Sequence, residues 1–186
     1  MKIILICLFL VVLGCNNGSD SSVHYSLKTI GGKERRIEID KSSNGAVFIF
    51  LIPDCPFSQF YSMAVNQIYS IYSTKGYKFY GIVPGKLYSA AEIDSFKNDF
   101  SFFPEILVDE DYKLSRTFKI KVVPQVVLTD WSGALLYSGK IDDQAIRPGE
   151  KKYRATKFYL LNAMKEHLSG ATINIKKTEA VGCFIE

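Results

Sequence analysis

Residues 46–58 read Ala46-Val47-Phe48-Ile49-Phe50-Leu51-Ile52-Pro53-Asp54-Cys55-Pro56-Phe57-Ser58, and this stretch decides the fold. The apolar run over 46–52 has strand length and does not alternate, which suits a central strand covered on both faces. Pro53 interrupts it. Pro56 then suits the first position of a helix, where its missing amide hydrogen costs nothing. The helix is expected to continue to about Tyr72, with Tyr61, Val65, Ile68 and Tyr72 forming a buried stripe at helical spacing. Cys55 thus stands at the joint. A thiol there faces first-turn N–H groups and the positive end of the helix dipole, which favour its thiolate. The adjacent Asp54 carboxylate disfavours a second negative charge, so a moderate lowering of the thiol pKa is expected. The competing reading is a buried structural cysteine, packed as a small hydrophobe.

Working outward, residues 25–30, the pair Gly31-Gly32 and residues 35–39 read as an N-terminal β-hairpin. Residues 77–83 form a second long strand and 90–100 a second helix. Residues 105–108 form a short strand, 112–118 a helical stretch, and 122–128 resume extended structure. Trp131-Ser132-Gly133 makes a turn into a strand over 134–141, and an amphipathic helix over 156–168 ends at Gly170 in the C-cap position. The first half predicts parallel strands joined by right-handed crossovers, and the second an antiparallel pair at the sheet edge. That is an α/β three-layer sandwich, with a central mixed β-sheet and helices on both faces.

Lys2 followed by the apolar run over 3–13 reads as an export leader, too short for the roughly 20 residues of a spanning helix. The run stops at Val12-Leu13-Gly14-Cys15, which resembles a bacterial lipobox; Leu13 departs from the small residue usual there. The resemblance implies cleavage after residue 14, lipidation of Cys15, and a polar tether over 15–22. It also implies membrane attachment in an extracytoplasmic cell-envelope compartment, where disulfides persist. One domain is expected over 23–170, and a C-terminal tail over 171–186 carries Cys183. The chain is 47% hydrophobic and 23% charged, which is globular rather than disordered composition. Its net charge of +4 is scattered, so nucleic-acid binding lacks a basic stripe to support it.

Four segments, in order, make the chain resemble the redoxin group of the thioredoxin superfamily, which includes thioredoxin-like lipoproteins and peroxiredoxin relatives. They are the 48–58 segment, Val122-Val123-Pro124, the turn and hairpin over 130–139, and Gly139-Lys140-Ile141-Asp142-Asp143-Gln144 with the terminal 178–185. The resemblance implies a thioredoxin-like fold, a cis peptide before Pro124 facing Cys55, and thiol–disulfide oxidoreductase chemistry on protein or small-molecule thiols and disulfides. It implies no cofactor. Two departures matter. Ser58 stands where a thioredoxin dithiol would have its second cysteine, and it either donates a hydrogen bond to the Cys55 thiolate or is an ordinary first-turn serine. Ile52 and Phe48 stand where peroxiredoxins carry a hydroxyl residue and a proline, which weakens a thiol-peroxidase reading.

Of the four cysteines, Cys7 and Cys15 are accounted for by the leader and the lipobox. Cys55 and Cys183 remain. An extended tail from 171 to 183 reaches roughly 40 Å, so Cys183 can pair with Cys55 as a resolving thiol. Gly182 gives the backbone freedom to turn inward, and Phe184-Ile185 offers an apolar plug. The alternatives are a mobile tail pairing elsewhere, a soft Cu(I) site or assembly module built from Cys55 and Cys183, and a binding domain that kept the fold without catalysis. Asp142-Asp143-Gln144 reads as a solvated turn, the alternative being a polar loop near the active cysteine; residues 151–154 read as a solvated entry to the last helix, and His24 and His167 as isolated surface residues.

Overall fold

The computed structural model describes residues 22–185. The leader and Cys15 lie outside the described residues. Strand β3 (Gly45–Phe50) is buried along its whole length, as its unbroken apolar sequence requires. It pairs in parallel with β4 (Tyr77–Pro84) and antiparallel with β7 (Gln125–Thr129), so it occupies the middle of the sheet. The parallel run continues from β4 to β5 (Glu105–Asp109).

Beyond β5 the N-terminal hairpin of β1 (Val23–Thr29) and β2 (Glu34–Ile39) adds two antiparallel strands. At the other edge β8 (Leu135–Gly139) pairs antiparallel with β7. The result is one seven-stranded mixed sheet in the order β2-β1-β5-β4-β3-β7-β8. A two-residue strand, β6 (Val122–Val123), precedes β7 and stands outside this sheet.

Alternate residues of β3 serve different faces. Val47 and Ile49 pack with α1 (Pro56–Tyr72), α2 (Ala90–Asp99) and α4 (Tyr159–Leu168) through residues such as Tyr61, Val65, Ile93, Phe96 and Met164. Ala46, Phe48 and Phe50 pack with the hairpin residues Leu27 and Ile37 and with Leu114 of the short helix α3 (Lys113–Thr117). Helices therefore cover both faces, but unequally. The two crossovers β3-α1-β4 and β4-α2-β5 step in the same direction along the sheet, so one handedness places both helices on one side. Of the stripe expected on α1, Tyr61, Val65 and Tyr72 are buried and Ile68 is partly so.

Three local expectations are corrected. The last helix begins at Tyr159 rather than Thr156, because the Asp143 carboxylate accepts the backbone N–H groups of Thr156 (2.7 Å) and Lys157 (2.9 Å). Those donors are held by a distant side chain instead of starting a helical turn. Asp142 and Asp143 are buried rather than solvated, and the Lys152 ammonium pairs with Asp143. A small hairpin of β9 (Ala145–Arg147) and β10 (Glu150–Lys151) lies ahead of the entry to the helix. His167 is half-buried, with its Nδ1 2.6 Å from the Tyr77 hydroxyl.

Candidate active site

Cys55 caps α1: its backbone is extended (φ −76°, ψ 117°), its carbonyl accepts the Gln59 N–H at 3.1 Å, and Pro56 follows at the first helical position. The Gln59 side chain donates to the Pro53 carbonyl at 2.9 Å, clamping the turn that delivers the cysteine. The sulfur thus sits at the positive end of a 17-residue helix. The Val123-Pro124 peptide is cis, as the resemblance implied, and the Val123 carbonyl oxygen lies 3.5 Å from Cys55 Sγ. Tyr88 donates a 2.5 Å hydrogen bond to the Asp54 carboxylate beside it.

The tail is laid along the domain in an ordered course. Ile173 is buried. Ser138 N–H donates to the Lys176 carbonyl and Thr178 N–H to the Ser138 carbonyl, each at 3.0 Å, so the tail runs beside the edge strand β8. Thr178 Oγ1 accepts from Lys140 N–H at 2.8 Å and lies 2.6 Å from the Tyr137 hydroxyl.

The chain then crosses to β6. There the terminal strand β11 (Cys183–Phe184) pairs antiparallel, Cys183 opposite Val123 and Phe184 opposite Val122, and Ile185 N–H donates to the Lys121 carbonyl at 3.1 Å. This seats Cys183 against Cys55, and the two form a disulfide with Cα atoms 6.1 Å apart. Such a separation lies within the range a bridge needs.

The reason for Gly182 differs from the expected freedom to turn. A Cβ at this position would lie 1.9 Å from the Val123 carbonyl oxygen, so the residue allows the arm to press against the cis-proline loop. Phe184 is not a plug, being 79% exposed; Ile185 supplies the packing, partly buried in the cluster that contains Cys55 and Val123. The Ser58 hydroxyl accepts the Ile52 N–H at 3.3 Å, which places it at the end of the strand feeding Cys55. The Ser58 hydroxyl thus bonds that backbone group and not the Cys55 sulfur.

A pocket of about 370 Å³ opens beside the bridge, between the start of α1 (Pro56, Phe57, Phe60) and the β9–β10 hairpin (Pro148, Gly149), and reaches Cys183. Sequence reasoning missed that hairpin wall, although Pro148-Gly149 between Arg147 and Glu150 is a turn signal. Two carboxylates hold it in place. The Tyr61 hydroxyl donates to Asp142 at 2.7 Å and accepts the Ala145 N–H at 2.9 Å, while Asp143 takes Lys152 Nζ at 2.5 Å and Thr156 Oγ1 at 2.6 Å. Burial pushes the Tyr61 hydroxyl pKa far up, and donation to Asp142 adds to it, so this phenol stays a neutral strut. Among the described residues no group of three or more His, Cys, Asp or Glu side chains is placed to hold a metal ion.

A mixed sheet carrying a cysteine at a strand-to-helix joint opposite a cis-proline defines the thioredoxin fold, and the solved structures similar to this chain agree. A hypothetical protein from Sinorhizobium meliloti superimposes with a TM-score of 0.74 at 20% identity, covering 88% of this chain and 90% of that one. A conserved protein from Geobacillus kaustophilus gives 0.75 at 21% identity, covering 88% of each chain. A thiol-disulfide oxidoreductase from Bacteroides fragilis gives 0.53 at 13% identity over 62% of this chain and 87% of its own. No protein-family profile matches the sequence, and no curated relative does.

Proposed function

We propose that the protein is an envelope-anchored thiol–disulfide oxidoreductase in which Cys55 is the attacking thiolate and Cys183 the resolving thiol. The observation that carries this reading is the docking of a distant cysteine, on its own arm, against a helix-capping cysteine beside a cis-proline. In the reduced protein the Cys55 thiolate attacks one sulfur of a substrate disulfide. A Cys55–substrate bond forms, the substrate S–S bond breaks, and one substrate thiolate leaves. Cys183, as thiolate, then attacks Cys55 Sγ; the internal bridge forms and the second substrate thiolate leaves. Two electrons pass from the protein dithiol to the substrate. The helix start stabilises Cys55 as nucleophile, and the Val123 carbonyl is positioned to accept the S–H of its resting thiol. The single domain thus replaces the local second cysteine, absent at Ser58, with one carried on the tail.

A disulfide-reduction assay tests this directly. Cys55→Ser should abolish exchange, and Cys183→Ser should accumulate a mixed disulfide on Cys55, visible by mass spectrometry. Full turnover in either variant would overturn the assignment. Envelope anchoring rests on the leader and the lipobox-like 12–15 segment; Cys15→Ser should release the protein from membranes, and retention after a high-salt wash would refute the anchor.

A second reading uses the same pair. Two thiolates this close are the soft donor set that selects Cu(I). Anaerobic Cu(I) titration of the reduced chain separates it, since stoichiometric tight binding lost in both cysteine variants would favour metal handling.

A further inference from the structure

Resting on the exchange chemistry proposed above, we infer that the thiol donor that regenerates the dithiol attacks Cys183, not Cys55. It enters through the apolar pocket between the start of α1 and the β9–β10 hairpin, which selects a thiol carried beside an apolar or aromatic group.

The two sulfurs of the closed bridge are not equally reachable. Cys55 is 1% exposed, sealed by the arm on one side and by the strand-to-helix joint on the other. Cys183 is partly exposed and lines the pocket, while Cys55 does not. A disulfide is cleaved by a thiolate reaching one of its sulfurs, and access decides which one is struck. Attack on Cys183 also expels the better leaving group, because Cys55 departs as a thiolate at the positive end of α1.

The pocket's character points to the donor. Pro56, Phe57, Phe60 and Pro148 give it apolar walls, and its volume accommodates an aromatic ring attached to a thiol. Lys151 places its ammonium 4.2 Å from the centre of the Phe60 ring, at the edge of the same pocket. Glu150 is engaged by Arg147 at 2.6 Å, so the approach carries a positive charge that draws in a thiolate. The step balances: the donor thiolate bonds to Cys183 Sγ, the Cys55–Cys183 bond breaks, and Cys55 takes the electron pair. A second donor thiolate then attacks the donor sulfur, leaving both protein thiols reduced and the donor as its disulfide. This polarity inverts the one in the substrate step. Cys55 meets the substrate when the arm is free, and Cys183 meets the donor when the arm is bridged.

The test uses the oxidised full chain with excess benzyl mercaptan or 2-mercaptoethanol. Acid quenching within the first turnover freezes exchange by protonating thiolates, and peptic digestion with mass spectrometry locates the adduct. The expected adduct is on Cys183 with Cys55 free. Benzyl mercaptan should react at least about tenfold faster per thiolate, the selectivity an apolar pocket provides, and Phe60→Ala should remove most of that preference. Lys151→Glu, which reverses the charge at the pocket edge and leaves the apolar residues Pro56, Phe57, Phe60 and Pro148 in place, should slow both thiols about threefold to tenfold. An adduct appearing first on Cys55 overturns the donor route. Equal rates for the two thiols, or an unchanged rate in Lys151→Glu, overturn the pocket as the entry. No substrate disulfide is present, so these failures leave the exchange chemistry standing; activity surviving Cys55→Ser would overturn that chemistry instead.

Discussion

A methyl group at position 182 would collide with the Val123 carbonyl at 1.9 Å and approach Pro124 Cδ at 3.1 Å. The obstacle is backbone on one side and a proline ring on the other, so neither can swing away. Gly182→Ala should therefore unseat Cys183 by an overpacking cost of about 1–3 kcal/mol, lowering the equilibrium constant for bridge formation by about 5-fold to 150-fold. Thiol counting after equilibration in a glutathione redox buffer measures it, and an unchanged constant would show that the arm docks without this contact. Thr178 is tied in the same way. A Cβ on Gly139 would lie 2.2 Å from its hydroxyl oxygen, so two glycines, in different parts of the chain, make room for the arm. Between them Val181 packs against the core, and beyond them Phe184 is 79% exposed. Once the bridge is opened, residues 183–185 are held by a two-residue ladder, one flanking hydrogen bond and the packing of Ile185, while Thr178 keeps the arm's root on β8, which suits a tip that must yield its place to substrate.

Among the elements, the joint between β3 and α1 was the most legible in the sequence. An apolar run ended by Pro53 and a helix opened by Pro56 are signals contained within a few residues of each other. The cis-proline and the pairing of the two cysteines were legible for different reasons, one by family likeness and the other by chain reach. The β9–β10 hairpin and the late start of α4 were hidden because their cause is remote in sequence. Asp143 reaches thirteen and fourteen residues ahead to claim the amides of Thr156 and Lys157. A solvated-turn reading of Asp-Asp-Gln weighs only its own polarity and cannot see the donors that will surround it. Those donors leave a pH signature. Burial pushes the Asp143 carboxyl up, but hydrogen bonds from Lys152, Thr156 and Lys157 override it and hold it below the usual carboxylate range. A carboxylate depressed in the folded state stabilises above its unfolded value near 4, and that contribution fades as pH falls below it. Asp143→Asn should be less stable at neutral pH and show a flatter acid limb in denaturant unfolding measured across pH. Parallel curves for the two proteins would remove Asp143 as the source.

At the scale of the molecule, the bridge spans 128 residues of sequence and takes in α1, the sheet beyond β3 and the closing helix. A closed loop of that length restricts the unfolded chain by about 5 kcal/mol in the chain-entropy description. Reduction should lower the denaturation free energy by up to that amount, read as a shift in urea midpoint, while Cys183→Ser should show no response to reductant. A reductant-insensitive midpoint in the unmodified chain would mean that the bridge does not form in solution. The same closure has a mechanical consequence. A pull applied between residues 22 and 185 would pass through the Cys55–Cys183 bond and bypass everything between the two sulfurs. The oxidised chain could then pay out only the stretch ahead of Cys55, roughly 120 Å of contour, whereas the reduced chain would extend on the order of 550 Å. That stretch contains β1, β2 and β3, so its full extension withdraws the central strand with the hairpin; the bond limits how far the protein can be drawn out while leaving its middle open to being pulled.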